Sequence, residues 1–325
     1  MVYYIVRRIV YAFPLLLGVN ILTFLLFFVV NTPDDMARMQ LGQKHITVEA
    51  VQTWEQQHGY DLPLLWNETS RGSGKFTETV FYTKSLGLFL FRFGRSDNGR
   101  NIGSDIYQRM WPSLAIAVPS LLFGLIANIS FAIMMVFFRS SYLEIWGGIL
   151  CVIMMSVSAL FYIILGQFFV GKFLQLVPIS GYDTGLNAAK FLILPVLIGV
   201  VSGLGSGTRW YRTLLLEEVE KDYVRTGRAK GLSETRVLFT HVLQNALIPI
   251  LTGVVVILPV LFLGSLITES FFSIPGLGSY TIDAIAQQDF AIVRSMVFLG
   301  SVLYILGLLL TDISYTLVDP RVRLS

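Results

Sequence analysis

Six long apolar segments constrain this chain more than any other feature of its sequence. A helix needs roughly 20 apolar residues to cross a bilayer core of about 30 Å, whereas barrel strands are about 10 residues long and alternate in polarity. These blocks are too long and too uniformly apolar for such strands, so the sequence predicts an all-α membrane protein with six transmembrane helices. The predicted spans are Val10–Val30, Trp111–Phe138, Ile145–Val170, Phe191–Thr208, Leu247–Thr268 and Val293–Tyr315.

Composition agrees with a membrane protein and excludes several other classes. Of the 325 residues, 54% are hydrophobic and only 14% are charged, whereas soluble domains carry about 25% charged residues. The single cysteine, Cys151, excludes an intrachain disulfide, and His45, His58 and His241 lack the spacing of metal ligands. We therefore expect no metal and no cofactor. The net charge of +3 gives no reason to expect nucleic-acid binding.

The distribution of Lys and Arg predicts the orientation in the membrane, because short cytoplasmic loops carry an excess of these residues. With both termini inside, twelve of the 24 basic residues fall in inner segments and three in short outer loops. The other nine lie in residues 31–109, a segment too long for the rule. The inner residues are Arg7, Arg8, Arg139, Arg209, Arg212, Lys221, Arg225, Arg228, Lys230, Arg236, Arg321 and Arg323, and the outer ones are Lys172, Lys190 and Arg294.

The chain is predicted to have three parts. Residues 1–30 form an N-terminal segment with the first span, and residues 31–109 form a polar extracytoplasmic lobe between spans one and two. Residues 110–325 form a membrane core with spans two to six and a cytoplasmic loop at about 212–249. Within the lobe, Val48, Val51 and Trp54 have helical spacing, which predicts a surface helix over Thr47–His58.

Two glycine-rich strings resemble nucleotide-binding loops but fail on inspection. Gly166–Lys172 has the phosphate-loop spacing, yet Phe173 follows where Ser or Thr is needed for magnesium. Gly72–Lys75 lacks the upstream glycine. We expect neither string to bind ATP. No arrangement of a nucleophile and a base is evident either, so the sequence does not indicate an enzyme.

Small and polar residues inside the spans each allow two interpretations. Gly199, Gly203 and Gly207 recur every four residues on one helix face, which favours close helix packing over a flexible pore-lining stretch. Asn128 and Gln167 could line a translocation path or could form hydrogen bonds across helices. The sequence leaves these last two alternatives open.

A charged helix-turn-helix lies between the fourth and fifth spans. Gly231 is placed to end a first helix in a left-handed conformation, and Ser233 is a good N-cap for a second one. Attachment to spans at both ends argues against DNA binding and leaves a solvated surface turn or a rigid element gripped by a partner. Acidic residues are predicted to begin the first helix and basic residues to end it, with Glu217 and Lys221 as an i, i+4 pair. The acidic residues are Glu217, Glu218, Glu220 and Asp222, and the basic ones are Arg225, Arg228 and Lys230.

This loop resembles the cytoplasmic "EAA" loop of ABC importer permeases, in its dipeptide/oligopeptide form. Gly227 departs from the usual alanine, which we expect to loosen the first helix slightly. The matching residues are Arg225, Thr226, Arg228, Ala229, Lys230, Gly231, His241, Leu243, Asn245, Ala246, Leu247 and Pro249. Further resemblances, in the expected order along nearly the whole chain, are Gly59–Pro63, residues 91–96, Glu269–Gly278, Asp283–Asp289 and Asp319–Arg323.

The resemblance implies a subunit of an ATP-driven importer in the bacterial cytoplasmic membrane. It implies a second homologous permease, two ATP-binding subunits and an extracytoplasmic solute-binding protein as partners, and a dipeptide or oligopeptide as substrate. Nickel or another small solute is an alternative cargo, and a stand-alone secondary transporter or channel is the less favoured class. The residues that the resemblance implies for coupling are Arg225, Thr226, Gly227, Arg228, Ala229, Lys230, Gly231, Leu232, Ser233, His241 and Asn245.

Overall fold

The computed structural model describes residues 2–42 and 47–318. His45 and the Asp319–Arg323 stretch, with Arg321 and Arg323, lie outside the described residues. Within the described ranges all regular structure is helical, and strand-like pairing is limited to one isolated bridge between Arg95 and Asn101. The prediction of an all-α chain is confirmed for this part of the protein.

Fourteen α-helices, several extended by π or 3-10 turns, make up the described chain. In order they are α1 Val2–Leu25, α2 Pro33–Leu41, α3 Val48–His58, α4 Gly74–Thr77, α5 Ile102–Phe137, α6 Tyr142–Ser156, α7 Ala159–Gly166, α8 Ala188–Val219, α9 Asp222–Ala229, α10 Glu234–Arg236, α11 Gln244–Ile257, α12 Leu266–Phe271, α13 Leu277–Ala286 and α14 Phe290–Val318.

Five of the described helical segments are long and apolar enough to cross a membrane, and a sixth span results if one bent pair is counted as a unit. The five are Val6–Val30, Ile102–Phe137, Ala188–Val219, Glu234–Ile257 and Phe290–Ser314. The bent pair joins Tyr142–Ser156 to Ala159–Phe173 at 90°.

Two predicted spans need correction. The third, Ile145–Val170, is not one straight helix, because Val157 and Ser158 have extended backbones and the Ser158 hydroxyl caps α7 by accepting the Phe161 N–H at 3.3 Å. The fifth, Leu247–Thr268, was placed too late in the chain. Its helical segment begins at Glu234 and α11 ends at Ile257.

The described chain divides into two compact units. The first contains residues 2–42, 47–109 and 280–309, and the second contains residues 110–279 and 310–318. In the first unit, aromatic residues at the end of α1 form the centre of the core. Phe24 meets Phe81 edge-on with ring centroids 5.0 Å apart, and Phe28 meets Tyr60 at 5.4 Å.

The predicted lobe helix is confirmed as α3 in this first unit. Thr47 caps its start by accepting the Ala50 N–H, and Gly59 ends it with a φ of 64°. Val51 and Trp54 are buried in the core, but Val48 is 66% exposed and lies off the buried face. The helix was therefore predicted correctly, and two of the three apolar residues that indicated it lie on its packed side.

Helix packing in the second unit supports part of the glycine prediction. A Cβ atom on Gly199 would lie 3.1 Å from Ser120 Oγ, and one on Gly207 would lie 2.6 Å from Asn128 Oδ1, so both glycines lie against α5. Gly203 has no atom within 4 Å of such a position in the described part of the chain, so packing at this residue stays a prediction. Gly205, which the sequence analysis missed, packs tightest of the four, since its Cβ would lie 2.5 Å from the Cys151 carbonyl oxygen.

A buried carboxylate organises the segment that follows α11. Glu269 is 1% exposed and accepts the backbone N–H groups of Ser265 and Ser279, each at 3.1 Å. Gly264 and Gly276 lie so close to this carboxylate that a Cβ on either would overlap it. The glycines of this region therefore leave room for the Glu269 side chain, which satisfies the backbone N–H of the buried Ser279 as well as that of Ser265.

We predict that Gly205→Leu destabilises the protein, whereas Gly203→Leu leaves its stability nearly unchanged. Forcing extra side-chain atoms into a packed contact costs typically 1–3 kcal/mol, and only Gly205 lies against α6 backbone. The measurement is the thermal unfolding of the two variants in detergent, with membrane content as a second readout. Equal melting temperatures for the two variants would show that the α6–α8 contact is not tight.

Candidate functional site

The charged loop begins with a helix break that the sequence analysis placed wrongly. Helix α8 runs to Val219, and α9 starts at Asp222 with Lys221 at its N-cap. Glu217 and Lys221 therefore do not form an i, i+4 pair on one helix, and Asp222 is the acidic residue of the first turn of α9. The acidic cluster instead belongs mainly to the end of α8, where Glu218 accepts the Tyr223 hydroxyl.

Gly231 ends α9 as predicted. Its φ is 78°, in the left-handed region that favours glycine. The Gly231 N–H donates to the Arg228 carbonyl at 2.9 Å, and the Leu232 N–H donates to the Gly227 carbonyl at 3.3 Å. This pair of bonds is the Schellman arrangement, which satisfies carbonyls at a helix end and reverses the chain within two residues.

Ser233 occupies the predicted N-cap position of α10 but does not cap it with its side chain. The Ser233 carbonyl accepts the Val237 N–H at 2.9 Å, and the helix continues through the π-helical turn Val237–Leu243 into α11. The position was predicted correctly and the side-chain hydrogen bond was not. The second helix of the loop is thus continuous with a candidate span.

One apolar side chain anchors α9. Val224 is fully buried among charged neighbours and packs into a cluster that includes Leu215 and Val219 of α8. The same cluster holds residues of α5, the π-helical turn and α11, which are Ala132, Val136, Val237, Leu238, Val242, Ala246 and Ile250. The first helix of the loop is therefore attached to three long helices of the second unit through one shared core.

A bidentate ion pair connects the two sides of the turn. Arg228 Nε donates to Glu234 Oε1 at 2.8 Å, and a second guanidinium nitrogen donates to Oε2 at 3.2 Å. Both side chains are more than a third exposed, so the pair contributes little to global stability. Its two parallel bonds instead fix the direction in which the Arg228 guanidinium points.

Gly227 packs against His241 of the second helix. A Cβ on Gly227 would lie 3.3 Å from His241 Cδ2 and 3.7 Å from a Leu232 methyl. His241 is itself held at the π-helical turn, where its carbonyl accepts the Asn245 side-chain amide at 2.6 Å. The 3.3 Å distance that an alanine Cβ would have here is shorter than most Cβ contacts in proteins. Glycine therefore allows α9 and the second helix to approach closely.

The structure separates the eleven predicted coupling residues into two groups. Gly227 is buried, and Leu232, His241 and Asn245 are partly buried. Gly227 lies against Leu232 and His241, and Asn245 bonds back to His241 within the second helix. The other seven present an exposed face, and they are Arg225, Thr226, Arg228, Ala229, Lys230, Gly231 and Ser233. The exposed face has three cations, and one of them, Arg228, is directed by Glu234.

The two residues considered for a translocation path are both hydrogen-bonded. Asn128 is 7% exposed, donates to the Gly124 carbonyl at 2.7 Å and accepts the Thr208 hydroxyl at 3.1 Å. Gln167 donates to the carbonyls of Ile179 and Phe271 at 3.2 and 3.0 Å. For Asn128, these bonds favour a hydrogen bond across helices α5 and α8 over a place in the translocation path.

The string Gly166–Lys172 does not have the architecture of a phosphate loop. It lies at the end of α7 and in the π-helical turn that follows. A Cβ on Gly166 would lie 2.6 Å from Ile198 Cδ1, and one on Gly171 would lie 2.9 Å from Ile179 Cγ1. Gly166 packs against α8 and Gly171 against the loop residue Ile179, so close packing accounts for both glycines without a nucleotide.

Sequence reasoning missed Val224 and Glu234. Val224 was visible as a lone apolar residue in a charged helix, which is the usual sign of an anchor. Glu234 lies six residues beyond Arg228 and across the glycine turn, so no helical spacing connects the two. Only the path of the turn brings the carboxylate to the guanidinium.

We predict that Val224→Ala loosens α9 while Thr226→Ala does not. Removing two buried carbon atoms costs about 2 kcal/mol, whereas Thr226 is exposed and its substitution stays within about 0.5 kcal/mol. The measurement is amide hydrogen exchange of Asp222–Ala229. Unchanged protection in Val224→Ala would mean that the cluster does not hold this helix.

Two family models match the chain. One, described as "Binding-protein-dependent transport system inner membrane component", matches residues 129–324 and so covers the charged loop. The other describes the N-terminal part of a membrane component of such systems and matches residues 1–85.

Curated relatives match over almost their whole length. The chain is 29% identical to the oligopeptide transport system permease protein AppB of Bacillus subtilis, over 98% of this chain and 99% of that protein. It is 30% identical to the di/tripeptide transport system permease protein DppB of Pseudomonas aeruginosa, over 99% of both chains. It is 27% identical to the dipeptide transport system permease protein DppB of Escherichia coli, over 99% of both.

Proposed function

This chain belongs to the family of binding-protein-dependent inner membrane permeases of ABC importers, and from that premise we propose that Arg225–Pro249 couples its spans to a separate ATP-hydrolysing subunit. The chain is a multi-pass inner membrane protein and a permease subunit, not an enzyme. The observation that carries the proposal is the construction of the loop, which presents an exposed basic face on a helix anchored by Val224 in the core of α5, α8 and α11.

A peptide is the proposed cargo. The relatives reported above are named for oligopeptide, di/tripeptide and dipeptide transport, which supports a peptide over nickel or another small solute. The same relatives favour an importer subunit over a stand-alone transporter or channel. Among the described residues one candidate span is broken, at Val157 and Ser158. Broken helices occur in secondary transporters, but a single break does not by itself favour that class.

The proposed mechanism is mechanical. Coupling requires that a partner contact the loop differently in two states, since equal contact in both shifts no equilibrium. In this proposal the exposed face lies in a groove of the ATP-hydrolysing subunit. When nucleotide binding moves that groove, α9 moves with it. Because Val224 shares one core cluster with residues of α5, α8 and α11, a displacement of α9 is passed to those helices through the packed cluster rather than through a flexible linker.

The rest of the assembly follows the same proposal. The predicted inner segments hold twelve Lys and Arg residues and the short outer loops hold three. This excess supports a cytoplasmic position for the loop and for both termini, and an extracytoplasmic position for residues 31–109. A second homologous permease completes the translocation path, two ATP-binding subunits sit at the loops, and an extracytoplasmic solute-binding protein delivers the peptide. Gln167 stays a proposed residue of the path, whereas Asn128 is proposed to bond across helices.

We predict that Gly231→Asp uncouples transport and that Gly231→Asn does so less. Asn and Asp have the same shape and both tolerate left-handed backbone better than other residues, so the pair separates added charge from strain. The carboxylate of Asp lies beside a basic face and alters its fit to the partner. The measurements are membrane content, co-purification of the ATPase subunit and peptide uptake in one strain.

Normal membrane content with weakened ATPase association, or with hydrolysis that continues without uptake, is the expected result for Gly231→Asp. Ser73→Ala serves as a control, because Ser73 is exposed and lies outside the loop, in the predicted outer lobe. Wild-type uptake by Gly231→Asp at normal membrane content would remove the turn from the mechanism.

A further inference from the structure

The first unit contains a polar cavity that the coupling loop does not explain. Its volume is about 440 Å³, within the range of small-molecule sites. Four cationic side chains line it, against a single carboxylate, that of Asp97, and His58 adds a titratable ring. The cations are Lys84, Arg92, Arg95 and Arg294. A cavity with this balance favours an anion as its occupant.

Arg294 is the most unusual of these groups. It lies in the first turns of α14 and is 3% exposed. Its guanidinium carbon lies 5.2 Å from the centre of the Phe28 ring, but its Nε has no acceptor among the described residues. An arginine presents five donors, and burying a charged group without hydrogen-bonded partners is costly.

The two nearest carboxylates are engaged elsewhere. Asp97 accepts the Gln40 side-chain amide at 2.7 Å and lies 3.9 Å from His58 Nε2. Asp289 accepts the backbone N–H groups of Asp97 and Ile292, at 3.0 and 3.1 Å. Both influence Arg294 through space, yet neither forms an ion pair with it in the described structure. Burial, followed by the charge of Asp289, raises the pKa of Asp97 to about 6.

The other cations leave the cavity open to a ligand. Lys84 is held over the Tyr60 ring at 5.3 Å, while Arg92 and Arg95 are exposed at the rim. A guanidinium fork is well suited to a planar carboxylate, which accepts two parallel hydrogen bonds. The arrangement is therefore one buried arginine together with the partly buried Lys84 and the exposed Arg92 and Arg95.

We propose that this cavity binds the carboxylate of a small molecule, with Arg294 as its principal partner. The carboxylate is that of a short peptide's C-terminus or of a free small acid, and both sources share the same chemistry. Binding supplies the acceptors that Arg294 lacks and displaces water from a cationic surface. The site is distinct from the coupling loop and stands whether or not that loop contacts an ATPase.

The test is calorimetric titration of the full-length chain in lipid nanodiscs, with its co-purifying subunits but without a solute-binding protein. The probes are dialanine, dialanine amide and acetate at constant ionic strength. We expect the two carboxylates to bind and the amide to bind roughly 10- to 100-fold more weakly, as expected for a lost charge-assisted hydrogen bond. Dialanine tighter than acetate identifies a peptide as the source, and equal affinities identify any small acid.

Variants connect the binding to the cavity. Arg294→Gln should abolish the preference for the carboxylate, Arg294→Lys should restore part of it, and Arg71→Gln, an exposed arginine that does not line the cavity, should leave it intact. If Arg294→Gln does not fold, the double variant Arg92→Gln/Arg95→Gln should weaken carboxylate binding instead. Failure of both carboxylates to bind the wild-type protein, or equal binding by all folded variants, overturns the proposal.

Discussion

The burial of Val224 is the interaction on which the rest of the loop depends. Without it α9 would be a short, charged helix of eight residues, and helices of that length are not stable alone in water. With it, α9 shares a core with α5, α8 and the π-helical turn that leads to α11. Because Val224 holds α9 in this core, the helix keeps one conformation even though most of its other side chains are exposed to solvent.

Glycines and charges have separate tasks in this arrangement. Gly231 reverses the chain, and Gly227 lets α9 approach His241, so neither contributes a side chain to the exposed face. The charged residues Arg225, Arg228 and Lys230 are exposed and supply the side chains of that face. In the proposed importer, the first group keeps the element rigid and the second meets the ATPase. A substitution of one of the exposed charges is thus expected to affect coupling, whereas a larger side chain at Gly227 is expected to disturb the packing of α9 on the second helix.

The sequence predicted most features that depend on local chemistry. The left-handed stop at Gly231 and the lobe helix that ends at Gly59 follow from backbone preferences that a few residues determine. Apolar blocks of membrane length likewise showed that the chain is helical. These signals are local, so a single sequence is enough to detect them.

The errors arose where distant residues decide the outcome. The break before Asp222 could not be distinguished from a continuous helix, because Glu217 and Lys221 have ideal helical spacing. Gly203 fits the small-residue pattern as well as Gly199, yet Gly205 is the glycine that meets α6. Arg228 and Glu234 pair only because the turn brings them together. In each case the missing information was how two helices or turns lie relative to each other. Residue spacing along a helix and intrinsic helix propensity do not contain that information.

The central claim is that the exposed face of the loop sits in an ATP-hydrolysing subunit, and cross-linking tests it most directly. A photo-reactive phenylalanine derivative replaces Lys230 in cells that express the whole importer, with the same substitution at exposed Ser73 of the predicted outer lobe as the control. The account predicts a cross-link from position 230 to the ATP-binding subunit, with a yield that changes when nucleotide is bound, and none from position 73. Capture of no ATP-binding subunit at position 230, or equal capture at both positions, would contradict it.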